Sequence, residues 1–493
     1  MKKIIIRNIN WLSIAFIALT AFLLGCQKQE VHSIDDILLS ETAPSGAIVS
    51  TNVTRSNSKS EFDDFSISKD LAILYAESFD SARKIVSVEP YVLNGVECIY
   101  IVNFEKGWMA IPSDMRVQSV LGDNEEGCLY PKELDNPGVR VWLESTAEYI
   151  YKIKTEGIPD YDENKVQMWR ELKRCSEQGS LRSIDPEEAT WVKVPFVRTT
   201  NTTNANVDRL LSTHWGQKSP WNCTLPIIPS DNTKRFVTGC VPTAISQVMY
   251  YFNNYSGIPN DFFQSITSYI SGSTSDGGFK LSLSGTGYST NSTRWSNMPL
   301  TQSGSGSFAN VSDLMALVGV RVNATYYPTE KTSATQSSYT LSLCNITSQQ
   351  GNYNYNTVKS NLLNNKPVLI DAINIQDGEG HAWIIDGCYD NTLTSDIYSI
   401  YYIYQPGVLY PTGAQFLSDS DVYGMYPNAY DGMSILESSN SYQTQYLIMN
   451  WGWADYADNG YYSILEVSTD WEEGLNYCKW ICYNLTPGQL GSN

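Results

Sequence analysis

Thr238-Gly239-Cys240-Val241-Pro242-Thr243-Ala244-Ile245-Ser246-Gln247-Val248-Met249 is the stretch on which the reading of this 493-residue chain turns. Val241, Ala244, Ile245, Val248, Met249 and Phe252 recur at helical spacing, which predicts a buried helix starting close to Cys240. Pro242 suits a first turn, where the N–H it lacks has no partner to lose. Cys240 therefore stands at a helix N-terminus, where the positive end of the dipole favours thiolate and is expected to lower its pKa. A buried structural cysteine is the alternative that this stretch by itself leaves open.

A thiolate nucleophile needs a proton partner, normally histidine, and the chain has three. His32 lies in a polar stretch, and His214 sits upstream of the cysteine in Ser212-Thr213-His214-Trp215-Gly216-Gln217. His381 opens Gly380-His381-Ala382-Trp383-Ile384-Ile385-Asp386-Gly387, which reads as a buried strand. Its place well downstream of Cys240 fits the order and spacing of papain-type enzymes. A second apolar run, Gln445-Tyr446-Leu447-Ile448-Met449, delivers Asn450-Trp451-Gly452-Trp453. There the Asn450 amide is expected to accept from the His381 ring N–H and fix its tautomer, with an indole shielding the bond.

The net charge is −19, and no basic patch offsets it, so nucleic acid is not an expected partner. Three histidines and no HExxH motif leave little room for a zinc enzyme, and neither a metal nor a cofactor is expected. Asp419-x-Asp421 is a weak Ca²⁺ signal that reads better as a solvated loop. Residues 1–25 have the layout of a signal peptide, with Lys2, Lys3 and Arg7 ahead of an apolar run from Trp11 to Leu24. Leu23-Leu24-Gly25-Cys26 resembles a bacterial lipobox, making Cys26 the expected lipidation site and the lipid the expected membrane contact. Polar residues 26–66 then read as a tether. Without Cys26, nine cysteines remain; the odd number leaves at least one free thiol. Cys478 and Cys482 read as a packed or bridged pair.

Composition divides the rest. Residues 27–200 carry 19 basic and 30 acidic side chains but 7 tyrosines, whereas the longer 201–493 carries 11, 22 and 26. The polar join Thr199-Thr200-Asn201-Thr202-Thr203-Asn204-Ala205-Asn206 is expected to be an exposed linker. In the first part, Ser68 is placed to cap a helix bearing Leu71, Leu74 and Phe79. Val86–Leu93 and Val96–Phe104 flank Asn94-Gly95, a hairpin turn signal, and a strand over Trp108–Pro112 follows. Helices are expected around Trp142–Ile153 and Val166–Leu172.

Four blocks resemble the streptopain family of bacterial cysteine peptidases: Leu211 to Asn222, the Thr-Gly-Cys-Val block at Cys240, Gly-His-Ala-Trp-Ile-Ile-Asp-Gly, and Asn-Trp-Gly-Trp. Weaker similarity runs through Leu314–Gly319 and Asn365-Lys366-Pro367-Val368, so the likeness covers essentially all of 207–493. Tyr100 to Asp114 is similar to the same family's prodomain. The resemblance implies an α+β, papain-like fold, with a helix carrying the Cys packed on an antiparallel sheet carrying His and Asn. It implies Cys240 as nucleophile, His381 as general base and then acid, and Gln217 with the Cys240 N–H as oxyanion hole. Asn450 would orient the histidine, with Trp451 and Trp453 in support. The implied organisation is an inhibitory prodomain at 67–198 and a peptidase domain at 199–493, with protein or peptide substrates. The prodomain would act as an intramolecular inhibitor, cleaved off near Arg182, Lys193 or Arg198. The resemblance also implies a preference for an apolar side chain two positions from the scissile bond. The expected location is the bacterial cell envelope, at the outer membrane or cell surface, with the mature domain open to release. An inactive binding or inhibitor protein of the same fold, and a thiol acyltransferase or amidase, are the rival readings.

The chain departs from the family pattern in three places: Pro242 replaces a more usual Ala, Ala454 replaces the Gly after Asn-Trp-Gly-Trp, and a Tyr-rich insertion at about 391–444 separates His381 from Asn450. The insertion is expected to form an added hairpin or a lid near the site.

Overall fold

The computed structural model describes residues 65–80, 82–158, 160–177, 185–256, 268–273, 277–283, 293–329, 331–410, 413–454, 460–465, 475 and 477–487. The signal segment, Cys26, most of the tether and Arg182 lie outside them. Among the described residues, no helix is long and apolar enough to cross a membrane.

The fold is mixed helix and antiparallel sheet. The helix predicted from Cys240 runs Cys240–Ser256, and its apolar face enters a core with Leu314, Met315, Leu317, Leu369, Ala382, Ile384 and Cys482. A twelve-stranded sheet backs it. From one edge the strand order is Ile85–Leu93, Val96–Phe104, Trp108–Pro112, Gly122–Asn124, Tyr461–Tyr462, Met433–Asn450, Gly380–Ile403, Val368–Asn374, Tyr477–Pro487 and Ile346–Asn352. The strand Trp191–Val207 pairs off this path with Gly380–Ile403 and with Gln415–Leu417.

The N-terminal elements form where their local chemistry places them. Ser68 accepts from the Leu71 N–H and caps the helix Lys69–Phe79. Asn94 and Gly95 both take positive φ, 49° and 81°, closing the hairpin between the first two strands. The two later helices run Pro137–Glu156 and Glu163–Glu177. These elements share a core with the C-terminal half: Trp108, Val139, Trp142 and Ile150 pack in one cluster with Trp383, Met449, Trp451 and Tyr462. Trp142 sits edge-on to Tyr462 and donates from Nε1 to the Ser463 carbonyl at 2.9 Å. Gly122–Asn124 pairs directly with Tyr461–Tyr462, so one sheet spans both compositional parts.

The join at 199–206 differs from expectation. Its residues lie within the 17-residue strand Trp191–Val207, antiparallel to Gly380–Ile403 from Cys388↔Val207 to Ile403↔Trp191. Main-chain hydrogen bonds to the long strand's open edge supply what the polar side chains do not, and threonine suits a half-exposed strand. Most side chains from Arg198 onward remain exposed. Of the basic residues suggested for cleavage, Lys193 is buried and Arg198 exposed.

The Tyr-rich insertion is a hairpin. Gly380–Ile403 and Met433–Asn450 pair from Ile384↔Asn450 out to Tyr401↔Met433. At about 3.3 Å of rise per residue, the stretch from Ile384 to Tyr401 spans roughly 55 Å, so the tip is no lid over His381. A small core of Trp191, Tyr401, Leu417, Val422 and Met433 caps the tip. The Asp419 and Asp421 carboxylates are engaged there: Asp419 accepts from Trp191 Nε1 at 2.8 Å, and Asp421 completes the cap of the short helix Asp419–Met425. All nine described cysteines are free thiols, with Cys478 exposed and Cys482 buried, so these two are not bridged.

Candidate active site

Cys240 is presented by a turn that needs glycine before it. Gly239 has φ +91°, and a Cβ there would stand 2.7 Å from Thr332 Cγ2. The Thr238 N–H donates to the Gln217 carbonyl at 3.1 Å, and the Thr238 and Thr243 hydroxyls bond at 2.9 Å. Gln217 is buried and donates from Nε2 to the Gly452 carbonyl at 3.4 Å. The cysteine turn, Gln217 and the Asn450–Trp453 turn are thereby stitched together. The Cys240 thiol pKa is raised, not lowered as the helix N-terminus suggests. Burial outweighs the backbone N–H groups of Ala382, Val241 and Cys240 that favour thiolate, and Asp371 adds to the rise.

His381 lies on the other side of the sheet. Along Gly380–Ile403, Ala382 and Ile384 face the cysteine helix, whereas Trp383 and Ile385 join the opposite core. The His381 ring stacks near Trp383, with centroids 6.2 Å apart, and shares the second face. Its Nε2 is 2.8 Å from the Trp451 carbonyl oxygen. A carbonyl can only accept, so Nε2 carries the proton and Nδ1 keeps its lone pair. Burial pushes the ring pKa down to about 4, against the Trp451 carbonyl, which raises it. Among the described residues no hydrogen bond joins Cys240 to the His381 ring.

The expected pairing of Asn450 with His381 is absent. Asn450 stands opposite Ile384 and faces the cysteine helix. There its Nδ2 donates to the Thr213 carbonyl at 2.7 Å, and it exchanges bonds with Gln247 at 3.2 Å. The Trp451 carbonyl takes its place on the ring. Trp451 is buried against Trp383 and Tyr462, while Trp453 is half-buried under the Lys218 ammonium, 5.5 Å from its ring centroid. Gly452 and Ala454 both have positive φ, 67° and 61°, so Ala454 adopts the left-handed backbone that the family's usual glycine takes without strain.

Sequence reading passed over what covers the histidine. Asn136 accepts from the Gly138 N–H at 2.9 Å and caps the helix Pro137–Glu156, directing its first turn at the site. A Cβ on Gly138 would overlap the Trp451 ring and stand 2.8 Å from His381 Cδ2. The positive helix end there disfavours an imidazolium. Asn-Pro-Gly is a plain helix-start signal, but nothing local says what the helix end touches.

The model of the Peptidase C10 family matches residues 215–462, half of the chain. A search of curated proteins finds no match. Among solved structures, a mutant fragment of prointerpain A from Prevotella intermedia is 20% identical, with 80% of this chain and 98% of that one covered and a TM-score of 0.46. Active wild-type interpain A cysteine protease from the same organism is 21% identical over 61% and 98%, with a TM-score of 0.34. With the matched stretch running from Trp215 through Cys240, His381 and Asn450 to Tyr462, the chain belongs to the Peptidase C10 family, the streptopain family of cysteine peptidases.

Proposed function

We propose that the chain is the exported, lipid-anchored precursor of a cysteine endopeptidase, held dormant by residues 67–198 and acting through 199–493. In the working enzyme His381 turns towards Cys240, and its Nδ1 takes the thiol proton. The thiolate attacks a peptide carbonyl carbon, and the resulting oxyanion is held by the Gln217 side-chain N–H and the Cys240 backbone N–H. His381 passes the proton to the departing amine as the C–N bond breaks. Water, deprotonated by the same ring, then attacks the thioester; the acid leaves and the Cys240 thiol is restored. Asn450 is free to exchange its Gln247 bonds for the imidazolium when the ring turns. What supports the reading is the seat of Gly138 against His381 and Trp451, which packs the pro segment onto the ring on the sheet face opposite the cysteine helix; burial favours the neutral form of both thiol and imidazole.

Anchoring through Cys26 at the cell envelope rests on the lipobox-like tetrapeptide. The exposed Arg198 supports removal of the pro segment near that residue over a cut at buried Lys193. The test is Cys240→Ser in the full chain. Casein hydrolysis and labelling at this position by iodoacetamide should both vanish, and undiminished proteolysis would rule the assignment out. Mass spectrometry of the processed N-termini checks the lipid and the cut together.

A further inference from the structure

Gln247 is a wholly buried amide on the cysteine helix that takes no step in the proposed chemistry. It stands about two turns beyond Cys240 in the helix Cys240–Ser256, so the two side chains leave from the same face. Its neighbours Ala244, Ile245 and Val248 enter an apolar core. A polar side chain among them has to find its partners inside the protein.

It finds them on two other segments of the site. Gln247 Oε1 accepts from the Trp215 main-chain N–H at 3.1 Å and from Asn450 Nδ2 at 3.2 Å, while Gln247 Nε2 donates to Asn450 Oδ1 at 3.2 Å. Main-chain partners fix which end of each amide is which. A peptide N–H only donates, so Gln247 turns its oxygen to Trp215; a carbonyl only accepts, so Asn450 turns its nitrogen to Thr213. Asn450 Oδ1 also accepts from the Gly452 N–H at 3.3 Å, and the Gly452 carbonyl takes the bond from Gln217 Nε2. These bonds close a cycle. From Gln247 one arm runs through Trp215 and Gly216 to the Gln217 backbone, and the other through Asn450 and Gly452 to the Gln217 side chain. Both arms are tightly packed: a Cβ on Gly216 would stand 2.8 Å from Ala454 Cβ, and one on Gly452 3.2 Å from Thr243 Cγ2. Residues 208–216 belong to no helix or strand. The segment leading to Gln217 is therefore held by bonds such as this one and that from the His214 N–H to the Leu300 carbonyl, not by a sheet.

We propose that Gln247 is the positioning residue of the oxyanion site, setting Gln217 against the cysteine helix through this cycle. The inference rests on the reading of Cys240 as a peptidase nucleophile and of Gln217 as an oxyanion donor. Gln217 Nε2 carries two N–H groups. With one turned to the Gly452 carbonyl, the direction of the other is set, and it can meet the tetrahedral oxygen. Oxyanion stabilisation depends on donors that are in place before the charge forms. Gln247 supplies that order from the helix that carries the nucleophile, so thiol and donor keep a common frame.

The experiment compares Gln247→Met with the parent, each as the processed full-length chain. Methionine matches glutamine in length and removes all three bonds. On a peptide substrate kcat should fall roughly 10- to 100-fold with KM near the parent value. A peptide aldehyde, whose adduct with Cys240 places an oxygen at the oxyanion site, should bind more weakly by a similar factor. Iodoacetamide alkylates the thiol without forming an oxyanion, so its rate at Cys240 should change by less than about 3-fold. Added to Gln217→Ala, the Met substitution should lower kcat by less than about 3-fold more, because both act through one group. Should Gln247→Met fail to fold, Gln247→Glu decides. Its carboxylate keeps the Trp215 bond but sets an oxygen against Asn450 Oδ1, and protonation restores the missing donor; its kcat relative to the parent should rise as pH falls. An unchanged kcat, additive losses in the double variant, labelling that drops in step with kcat, or a Gln247→Glu ratio that is flat with pH overturns the positioning role alone. A parent that cleaves no peptide overturns the peptidase reading and the inference with it.

Discussion

Gly138→Ala separates two roles that a helix-start glycine can have. In the helix itself, alanine is the better residue by up to about 1 kcal/mol, and Gly138 has no positive φ that would forbid it. Against the site the sign reverses. The new methyl overlaps the Trp451 ring and comes within 2.8 Å of His381 Cδ2, and both partners are buried ring atoms with 1% and 4% exposure, not flexible ends that can step aside. Overpacking of this kind costs about 1–3 kcal/mol, and under the proposed function it acts only on the state in which the N-terminal segment is seated on His381. The population with an open site should therefore rise about 5- to 150-fold. The assay is the rate at which iodoacetamide labels Cys240 in the uncleaved precursor, read by peptide mass against Cys223, an exposed thiol that serves as internal reference. Faster Cys240 labelling at a constant Cys223 rate, followed by earlier conversion to the mature form, is the expected result. An unchanged Cys240 rate together with a raised melting temperature would mean that Gly138 matters only as a helix residue, and the proposed dormancy would lose its main support.

The full-length chain's response to acid has a definite sign. His381 is held at about 4 when folded against 6.5 when free, so between those values the unfolded chain binds a proton that the folded chain refuses. Its stabilising contribution is complete above pH 6.5 and is lost as pH falls towards 4, by about 3 kcal/mol in all. Asp371 and Asp386, raised to about 7 and about 6 by burial, act in the opposite sense: their contribution is present in acid and lost as pH rises. His214, also near 4, adds to the first effect. The useful comparison is thus parent against His381→Gln by urea titration at pH 7 and pH 4, where the variant should lose less; equal losses would refute the burial account of this ring. In the processed enzyme, Gln217→Ala should lower kcat by about 10²–10³ with little change in KM, and a loss confined to KM would remove Gln217 from the oxyanion site.

Local signals were legible wherever chain neighbours decide the outcome. Ser68, Asn94-Gly95 and the start of the helix at Cys240 rest on caps, turns and periodicity, and all three form as read. Cys240, Gln217 and the Asn450–Trp453 turn also come together. Long-range pairing is what sequence could not disclose. The threonine-rich join reads as linker because its side chains have no core to enter, yet its backbone finds an open strand edge. Asn450 reads as the histidine's partner because the two motifs are core strands, but strand parity puts their side chains on opposite faces. The Cys240 pKa goes against the helix-end argument because tertiary packing partly desolvates the thiol, which no local pattern carries.

The strand Trp191–Val207 gives the molecule a second grip on its own N-terminal part. A cut at Arg198 would leave residues 191–198 hydrogen-bonded to the hairpin from Asp396 to Ile403 and, through Trp191–Lys193, to Gln415–Leu417, while Gly138 still rests on His381. The severed piece would then be bivalent. When either contact lets go, the other keeps it at a high local concentration, and it rebinds before it diffuses away. Scission and the onset of activity would be separate events, and the lag between them would be set by how quickly a strand peels from the arm of the hairpin.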